Sequence, residues 1–523
     1  MAKRTATTAH FGRDPQDAVV AFLNTPGIVG DDVPRHIETH IAHVFVGRER
    51  ALKIKRAVKL PYLDFSSLEQ RRAACLREIE VNQPTAPDLY LGVVPITVRE
   101  DGRLAVGGAG TAIEWAVEML AFAAGNLLSE RARDGRLTTE ILLETADVVA
   151  RMHACAAPQT PIDHPGEMLE IVDDVVRACE TTSLGADPEQ LTRFVMAARG
   201  AIDRHHELLL QRGAEGHVRR CHGDLHLANI VMWRGHPTPF DAIEFSEQIA
   251  TVDTLYDLAF LLMDLEHAMN RAAANQLFNR YLWRVGEAES LRALALLPFY
   301  LSLRAAIRAM VAGERASLAE DAAAAEQDRR AAREYLAMAC RYLAPHPPDL
   351  IAVGGLSGSG KSTLAAALAP EFGAAPGAVL LRSDLERKRM LGVASTDRLP
   401  AESYTPASAE AVYARILARA GEALTAGHSV IVDAVSAREE ERSALCDLAQ
   451  RLGVGFRALW LDASDETLKQ RVAQRVGDAS DATPDVVERQ IARGTGRIGW
   501  QRIDASGGAA ETLAQAQAAL SRG

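Results

Sequence analysis

The run Gly355-Leu356-Ser357-Gly358-Ser359-Gly360-Lys361-Ser362 fits G-x-x-x-x-G-K-[ST] at every fixed position. Each residue type has a physical reason. Gly355, Gly358 and Gly360 let main-chain N–H groups turn inward around phosphates, with Ser357 and Ser359 between them. Lys361 supplies a point charge for the β- and γ-phosphates, and the Ser362 hydroxyl is suited to Mg2+. Thr363 continues into a helix whose positive N-terminus faces the anion. The context agrees, because the apolar strand pattern Leu350-Ile351-Ala352-Val353 precedes the loop and a helix follows it. The expected ligands are ATP and Mg2+.

Other chemistry-bearing residues fall around this loop. Val430-Ile431-Val432 ends in Asp433, a carboxylate expected near the metal. Asp384 follows the strand pattern Val379-Leu380-Leu381 and could take the proton from an acceptor hydroxyl. Arg387 could hold an anionic part of that acceptor. The plainer alternative is a helix-capping Asp with a solvated Arg. Arg471 and Arg475 are four apart, so on a helix they share a face. They suit bidentate phosphate contacts as a lid over the nucleotide, and a solvated basic face is the alternative. With Ser480-Asp481-Ala482, this set resembles the small AAA-type P-loop kinases, which are similar to polynucleotide kinase, gluconate kinase, chloramphenicol phosphotransferase and zeta toxin. The resemblance covers most of 350–490. It implies phosphoryl transfer to a hydroxyl and leaves the acceptor open.

A second constellation lies upstream. His222-Gly223-Asp224, with Asn229 five residues on, matches the spacing of the protein-kinase catalytic loop, with Gly223 in place of arginine. That chemistry asks for an Asp to orient and deprotonate the acceptor hydroxyl, and an Asn to hold Mg2+. Asp241 stands at a strand end where a further metal-binding carboxylate belongs. Asp257 opens the next helix and is placed to buttress the loop. This ensemble resembles the aminoglycoside phosphotransferase and choline kinase-like family, whose fold is that of eukaryotic-type protein kinases. The resemblance implies Asp224 as catalytic base and Asn229 and Asp241 as metal ligands. It also implies a nucleotide-site lysine, from Lys53 or Lys55, and a partner glutamate, Glu78 with Glu80 as fallback. Lys53 and Lys55 lie on one strand face, so spacing does not separate them.

This chain departs from that family in several places. No G-x-G-x-x-G precedes the lysines, so the nucleotide loop would be Glu38–His43. Asp241-Ala242-Ile243 lacks the phenylalanine of the kinase motif. Gln248 and Ala250 stand where related sequences usually carry arginine and polar residues. Arg304 and Arg308 lie one turn apart on an otherwise apolar helix, facing either a structural carboxylate or an anionic acceptor. His153 reads as a structural histidine.

These residues need elements to hold them. His43–Val46 and Arg50–Lys55 alternate in strand fashion around a turn, and Leu68–Asn82 reads as a helix. Mostly helical sequence follows, so a small sheet lobe precedes a larger helical one. Pro345-His346-Pro347-Pro348 ends a long helix expected from about Ser317 to Leu343. Beyond it, strand patterns at Ile351–Val353, Val379–Arg382, Ser429–Val432 and Phe456–Leu461 alternate with helices, which implies a parallel α/β sheet. The expected fold class is α+β followed by α/β. A bilobal kinase-like domain would span 1–344 and a P-loop domain 349–523. That order resembles bacterial proteins described as bifunctional aminoglycoside phosphotransferase/ATP-binding proteins.

Composition bounds the function. The chain has 523 residues, 48% of them hydrophobic, and two to four domains follow from about 150 residues per domain. Net charge is −11, which argues against a nucleic-acid partner held by bulk electrostatics. No long uninterrupted apolar run and no apolar leader are evident, so neither a membrane span nor secretion is expected. The six cysteines are scattered without a CxxC pair, as in a reduced cytoplasmic protein. The leading expectation is a bifunctional kinase acting on small hydroxylated metabolites, such as sugars or sugar derivatives. The alternatives are a nucleotide-gated regulator with a protein partner, a 5′-hydroxyl nucleic-acid end kinase, a resistance kinase and a zeta-like toxin. Oligomeric state is left open.

Overall fold

Alternation at His43–Lys55 builds a hairpin in which Ala42–Val46 pairs antiparallel with Arg50–Lys55, Val44 lying opposite Lys53. The computed structural model describes residues 15–60, 63–159, 163–181, 188–286, 290–319, 321–474 and 479–521. Its contacts divide the chain into two units: Met1–Gln159 with Val218–Asp257, and Thr160–His217 with Leu258–Gly523.

The hairpin belongs to a six-stranded sheet of the first unit. Its order is Arg35–Glu38, Ala42–Val46, Arg50–Lys55, Thr111–Leu120, Tyr90–Val98 and Leu104–Val106. Period-two alternation sends Leu52 and Ile54 into an apolar core with Phe45, Val19 and Leu23. Lys53 and Lys55 therefore take the opposite face, yet both are buried. The helix Leu68–Asn82 explains how they are tolerated. Its start is fixed by a capping box, in which Gln70 N–H donates to Ser67 Oγ at 3.2 Å and Ser67 N–H donates to Gln70 Oε1 at 3.0 Å. Its buried residues are Arg71, Ala74, Cys75, Glu78 and Asn82, a largely polar face at helical spacing. Arg71 is neutralised by Glu114 at 2.9 Å, which leaves Glu78 for the lysines. In the same unit, Val218–Arg220 pairs with Thr251–Asp253 and Ile230–Trp233 pairs with His236–Pro239. The loop between Arg220 and Ile230 carries Asp224.

The second unit joins helices to a five-stranded sheet. The sheet order is Val379–Arg382, Val430–Asp433, Asp349–Gly355, Gly455–Asp462 and Gln501–Asp504, parallel throughout. The four expected strands are all present. The fifth, Gln501–Asp504, is short and polar, with only Ile503 buried, and had no apolar pattern to signal it. The long helix expected from about Ser317 to Leu343 spans Ala322–Tyr342, and Ser317 and Leu318 instead end a first helix, Leu297–Leu318. Ala319 is extended, and Asp321 caps the second helix by accepting from Ala324 N–H at 2.9 Å. The stretch Leu291–Leu318 is long and apolar enough to cross a membrane by composition. Two-thirds of its most apolar window (67%) is buried within the protein.

Helices before the proline cluster pack on the sheet after it. Val379–Arg382 is an edge strand, and the helix Arg271–Val285 covers its free edge with side chains. Leu380 N–H donates to Asn279 Oδ1 at 2.7 Å, and the Asn275 and Asn279 amides each donate to Ala378 O at 3.1 Å. These asparagines substitute for a sixth strand and close an edge that would otherwise invite pairing. Replacing both by alanine is expected to cost about 1–3 kcal/mol, the penalty of stranded buried amide groups. Denaturant titration checks the loss, and faster hydrogen exchange at Leu380 locates it.

Candidate active sites

In the first unit the loop is built on Asp257. Its carboxylate accepts from Gly223 N–H at 2.9 Å and His222 N–H at 3.2 Å, and lies 3.1 Å from His153 Nε2. His153, Cys221 and Asp257 are all buried, with possible ligand atoms within 4.8 Å of one another. Those atoms already bond within the protein, as Cys221 does through its thiol to Val252 O at 3.5 Å. The cluster therefore reads as a buttress. Gly223 has φ +83°, and a Cβ there would meet Ile243 Cδ1 at 3.0 Å and Ala250 Cα at 3.3 Å. This fold accordingly has glycine where protein kinases carry arginine. His222 Nε2 lies 2.9 Å from Phe240 O, which assigns the proton to Nε2, and burial lowers its pKa.

Asp224 projects from this loop with 40% of its side chain exposed. Asn229 Nδ2 donates to Asp224 O at 3.0 Å and to its Oδ2 at 2.9 Å. Asn229 Oδ1 is then the atom left to ligate. His226 Nδ1 accepts from Ala228 N–H at 3.2 Å, so its Nε2, 3.3 Å from Asp224 Oδ2, carries the proton. Asp241 sits at φ +60°, an uncommon value for a non-glycine residue. Two bonds hold it there: Asp241 N–H donates to Tyr90 Oη at 3.0 Å, and Ala242 N–H to Asn82 Oδ1 at 2.9 Å.

One glutamate serves both lysines. Lys53 Nζ lies 2.9 Å from Glu78 Oε1 and 2.5 Å from Asp241 Oδ1. Lys55 Nζ lies 2.5 Å from Glu78 Oε2 and bonds Glu244 on its other side. Glu80 instead pairs with Arg77 at the surface, at 2.7 Å. Burial alone would lower the pKa of Lys53, but Asp241, Glu78 and Glu244 outweigh it and hold it well above the ordinary value. Burial likewise pushes Glu78 up, and the two ammonium groups pull it down to about 2. Burial and the neighbouring Glu78 raise Glu244, against the pull of Lys55. Glu244, Asn82 and Tyr90 were not singled out from the sequence. Asn82 carried a signal, since it lies one turn beyond Glu78 on the same helix.

In the second unit the strand Asp349–Gly355 delivers the phosphate loop to the helix Lys361–Leu368. Gly355 at φ +140° and Gly358 at φ +90° approach the main chain so closely that a Cβ would lie 2.6 Å from Leu461 O and 2.5 Å from Leu468 O. Gly360, at φ +90°, turns into the helix. Lys361 Nζ lies 3.0 Å from Leu356 O. Ser362 Oγ donates to Asp433 Oδ2 at 2.5 Å, and Arg382 Nε lies 3.3 Å from that same oxygen. Ser359 Oγ is buried and has no hydrogen-bond partner among the described residues. Such an orphaned donor, with a pair of hard oxygen ligands at Ser362 and Asp433, fits a nucleotide and a divalent cation. Thr363 is exposed on the helix's first turn.

Asp384 opens the helix Ser383–Met390 and is half-buried. Burial and the neighbouring Asp433 raise its pKa, against a Ser480 hydrogen bond, Arg382 and Lys361. Arg387 Nη1 donates to Ser408 Oγ at 2.7 Å and Ser403 O at 3.1 Å, and its guanidinium lies 4.8 Å from the centre of the Tyr404 ring. Asp481 accepts from Tyr404 Oη at 2.6 Å and Leu399 N–H at 3.1 Å. Arg471 donates to three main-chain carbonyls, Ala505 O at 2.7 Å, Gly507 O at 2.8 Å and Ser506 O at 3.3 Å. In this conformation it clamps a turn. Arg475 lies outside the described residues. Arg304 and Arg308 stand over aromatic rings of their own unit, Phe260 at 4.9 Å and Tyr335 at 5.7 Å.

Two family models match the chain: "phosphotransferase enzyme family" over residues 62–297, and "AAA domain" over 350–497. An uncharacterized protein of Mycobacterium tuberculosis is 29% identical over 486 residues, 92% of this chain and 94% of that one. Among solved structures, a choline/ethanolamine kinase family protein from Mesorhizobium loti matches 63% of this chain and 99% of its own, at 15% identity and TM-score 0.38. A gluconokinase from Sinorhizobium meliloti matches 34% of this chain and 94% of its own, at 24% identity and TM-score 0.24. The chain thus carries a phosphotransferase enzyme family domain followed by an AAA-type P-loop domain, and by class it is a kinase.

Proposed function

We propose that this protein is a bifunctional, ATP-dependent kinase of the cytoplasm, with one module within 1–344 and another within 349–523. Both modules would phosphorylate hydroxyl groups of small metabolites, sugars or sugar derivatives foremost. One observation carries the reading. Each site gathers a lysine for phosphate, oxygen ligands for a cation and a carboxylate on the acceptor side.

At the amino-terminal site Lys53, aligned by Glu78, faces the nucleotide phosphates. Asp224 accepts the proton of the acceptor hydroxyl as that oxygen attacks the γ-phosphorus and ADP departs. Asn229 holds Asp224 in place and, with Asp241, would hold Mg2+. At the carboxy-terminal site Lys361 and the loop N–H groups face the phosphates. Ser362 and Asp433 would hold Mg2+, Asp384 takes the acceptor proton, and Arg387 lies on the acceptor side. Bound Mg2+ neutralises charge on the β- and γ-phosphoryl oxygens.

Asp384→Asn and Asp224→Ala variants, screened singly for ATP consumption against a library of hydroxyl compounds, test this. Each should remove one acceptor-dependent activity and spare the other. If the unmodified protein binds nucleotide but turns over no acceptor, the proposal fails. A pH prediction follows at the P-loop site. Because burial and Asp433 raise Asp384, its activity should fall on acidification at a pH above the ordinary Asp value of about 3.9. The acid limb of kcat/KM reports it.

A further inference from the structure

The phosphate loop has a second tether that its motif does not require. Gln490, on the helix Pro484–Arg493, accepts a hydrogen bond from Ser357 N–H at 2.9 Å through Oε1. Its Nε2 donates to Ser357 Oγ at 3.1 Å. The amide orientation follows from the network, since a flipped amide would set donor against donor at the main chain. The tether is not casual, because 133 residues separate its ends. Its helix is anchored by Val487, buried in a cluster with Leu468 and Val472, and Leu356 and Ile491 pack against that cluster. Leu356 is the loop residue next to Ser357. Gln490 therefore sits on a rigid element whose packing includes the phosphate loop itself.

Two consequences follow for Ser357, which is buried. Its N–H is engaged by Gln490, so the phosphate cradle falls to the N–H groups further along the loop and at the helix start. Its hydroxyl accepts from Gln490, which directs its single proton elsewhere. Ser357 stands four residues before Lys361, within the loop that surrounds the phosphates.

We propose that Gln490 is a positioning residue for phosphoryl transfer at the P-loop site, holding Ser357 so that its hydroxyl proton is offered to the transferring phosphoryl group. The inference rests on the reading of this site as a transfer site. A hydroxyl donor to an anionic oxygen gains strength as charge develops, so its effect belongs in turnover more than in nucleotide binding.

The test uses full-length protein carrying Asp224→Ala, which silences the amino-terminal site. ATP turnover and the affinity for a fluorescent ADP are measured in this parent and with Gln490→Ala, Gln490→Glu, Ser357→Ala, the Gln490→Ala/Ser357→Ala double change and Lys361→Ala added. Gln490→Ala should lower kcat about tenfold or more and leave ADP affinity within about twofold. Gln490→Glu keeps the shape but cannot donate, so the Ser357 proton must turn to the carboxylate. It should lose the same turnover with an unchanged melting temperature. The double change should be no worse than Ser357→Ala alone. The inference is overturned by unchanged turnover in Gln490→Ala, by equal losses in turnover and ADP affinity, or by additive effects. A parent whose turnover does not depend on Lys361 overturns the transfer-site reading itself and removes the inference with it.

Discussion

An Asp224→Ala enzyme is expected to lose about 10²- to 10⁴-fold of its acceptor-dependent turnover at the amino-terminal site, the usual weight of a positioned general base. Nucleotide affinity should change little, because the phosphate-side Lys53 is held by Glu78 and Asp241, and neither of those bonds involves Asp224. Alanine also removes one of the two hydrogen bonds that the Asn229 amide donates to Asp224, the one to Oδ2, and leaves the one to the main-chain oxygen. Asp224→Asn separates the two effects. The new side chain keeps an oxygen for Asn229 and loses only the basic carboxylate. Steady-state kinetics should therefore show similar losses in kcat for both variants, with the melting temperature preserved better in Asp224→Asn. A variant with near-normal kcat would remove Asp224 from the chemistry.

How far the sequence revealed this arrangement depends on the type of residue. The phosphate loop was legible because its glycines answer a local demand: φ values of +90° to +140° and a main chain too close for a Cβ. The strand Arg50–Lys55 was legible by alternation, but alternation placed Lys53 and Lys55 on one face and could say no more. The structure separates them by partners 188 and 189 residues away, Asp241 for Lys53 and Glu244 for Lys55. Gln490 and the asparagines on Arg271–Val285 share that character. Each is a neutral amide on a helix, ordinary in pattern, and each binds main-chain groups distant in sequence, Gln490 with the Ser357 hydroxyl besides. Arg471 shows the converse. Four-residue spacing with Arg475 suggested a phosphate lid, and the described geometry instead gives its guanidinium three carbonyls near the strand Gln501–Asp504. That strand was itself too polar to read.

Lys55→Met should be the most destabilising single change in the first unit. Lys55 is fully buried between Glu78 and Glu244. Removing one partner of a buried pair costs about 3–5 kcal/mol, because the charge left behind has no water and no counter-ion. Glu78 keeps Lys53, at 2.9 Å. Glu244 keeps nothing equivalent and faces Glu78, so it must take a proton. The sign of the pH dependence follows. In the unmodified protein Glu78 is depressed from 4.5 to about 2, so its contribution is present above pH 4.5 and is lost as pH falls through that interval. In Lys55→Met, Glu244 has a folded pKa raised further above its unfolded value. Protonation then favours the folded state, and the deficit shrinks as pH falls from 7 towards 5. Urea titrations at those two pH values should show the gap narrowing. Adding Glu244→Leu removes the stranded carboxylate and should recover most of the loss, since apolar replacement of a buried pair is often neutral. A deficit that neither acid nor Glu244→Leu relieves would mean that Lys55 acts through packing, for instance against Phe65, whose ring centre lies 5.8 Å from its ammonium.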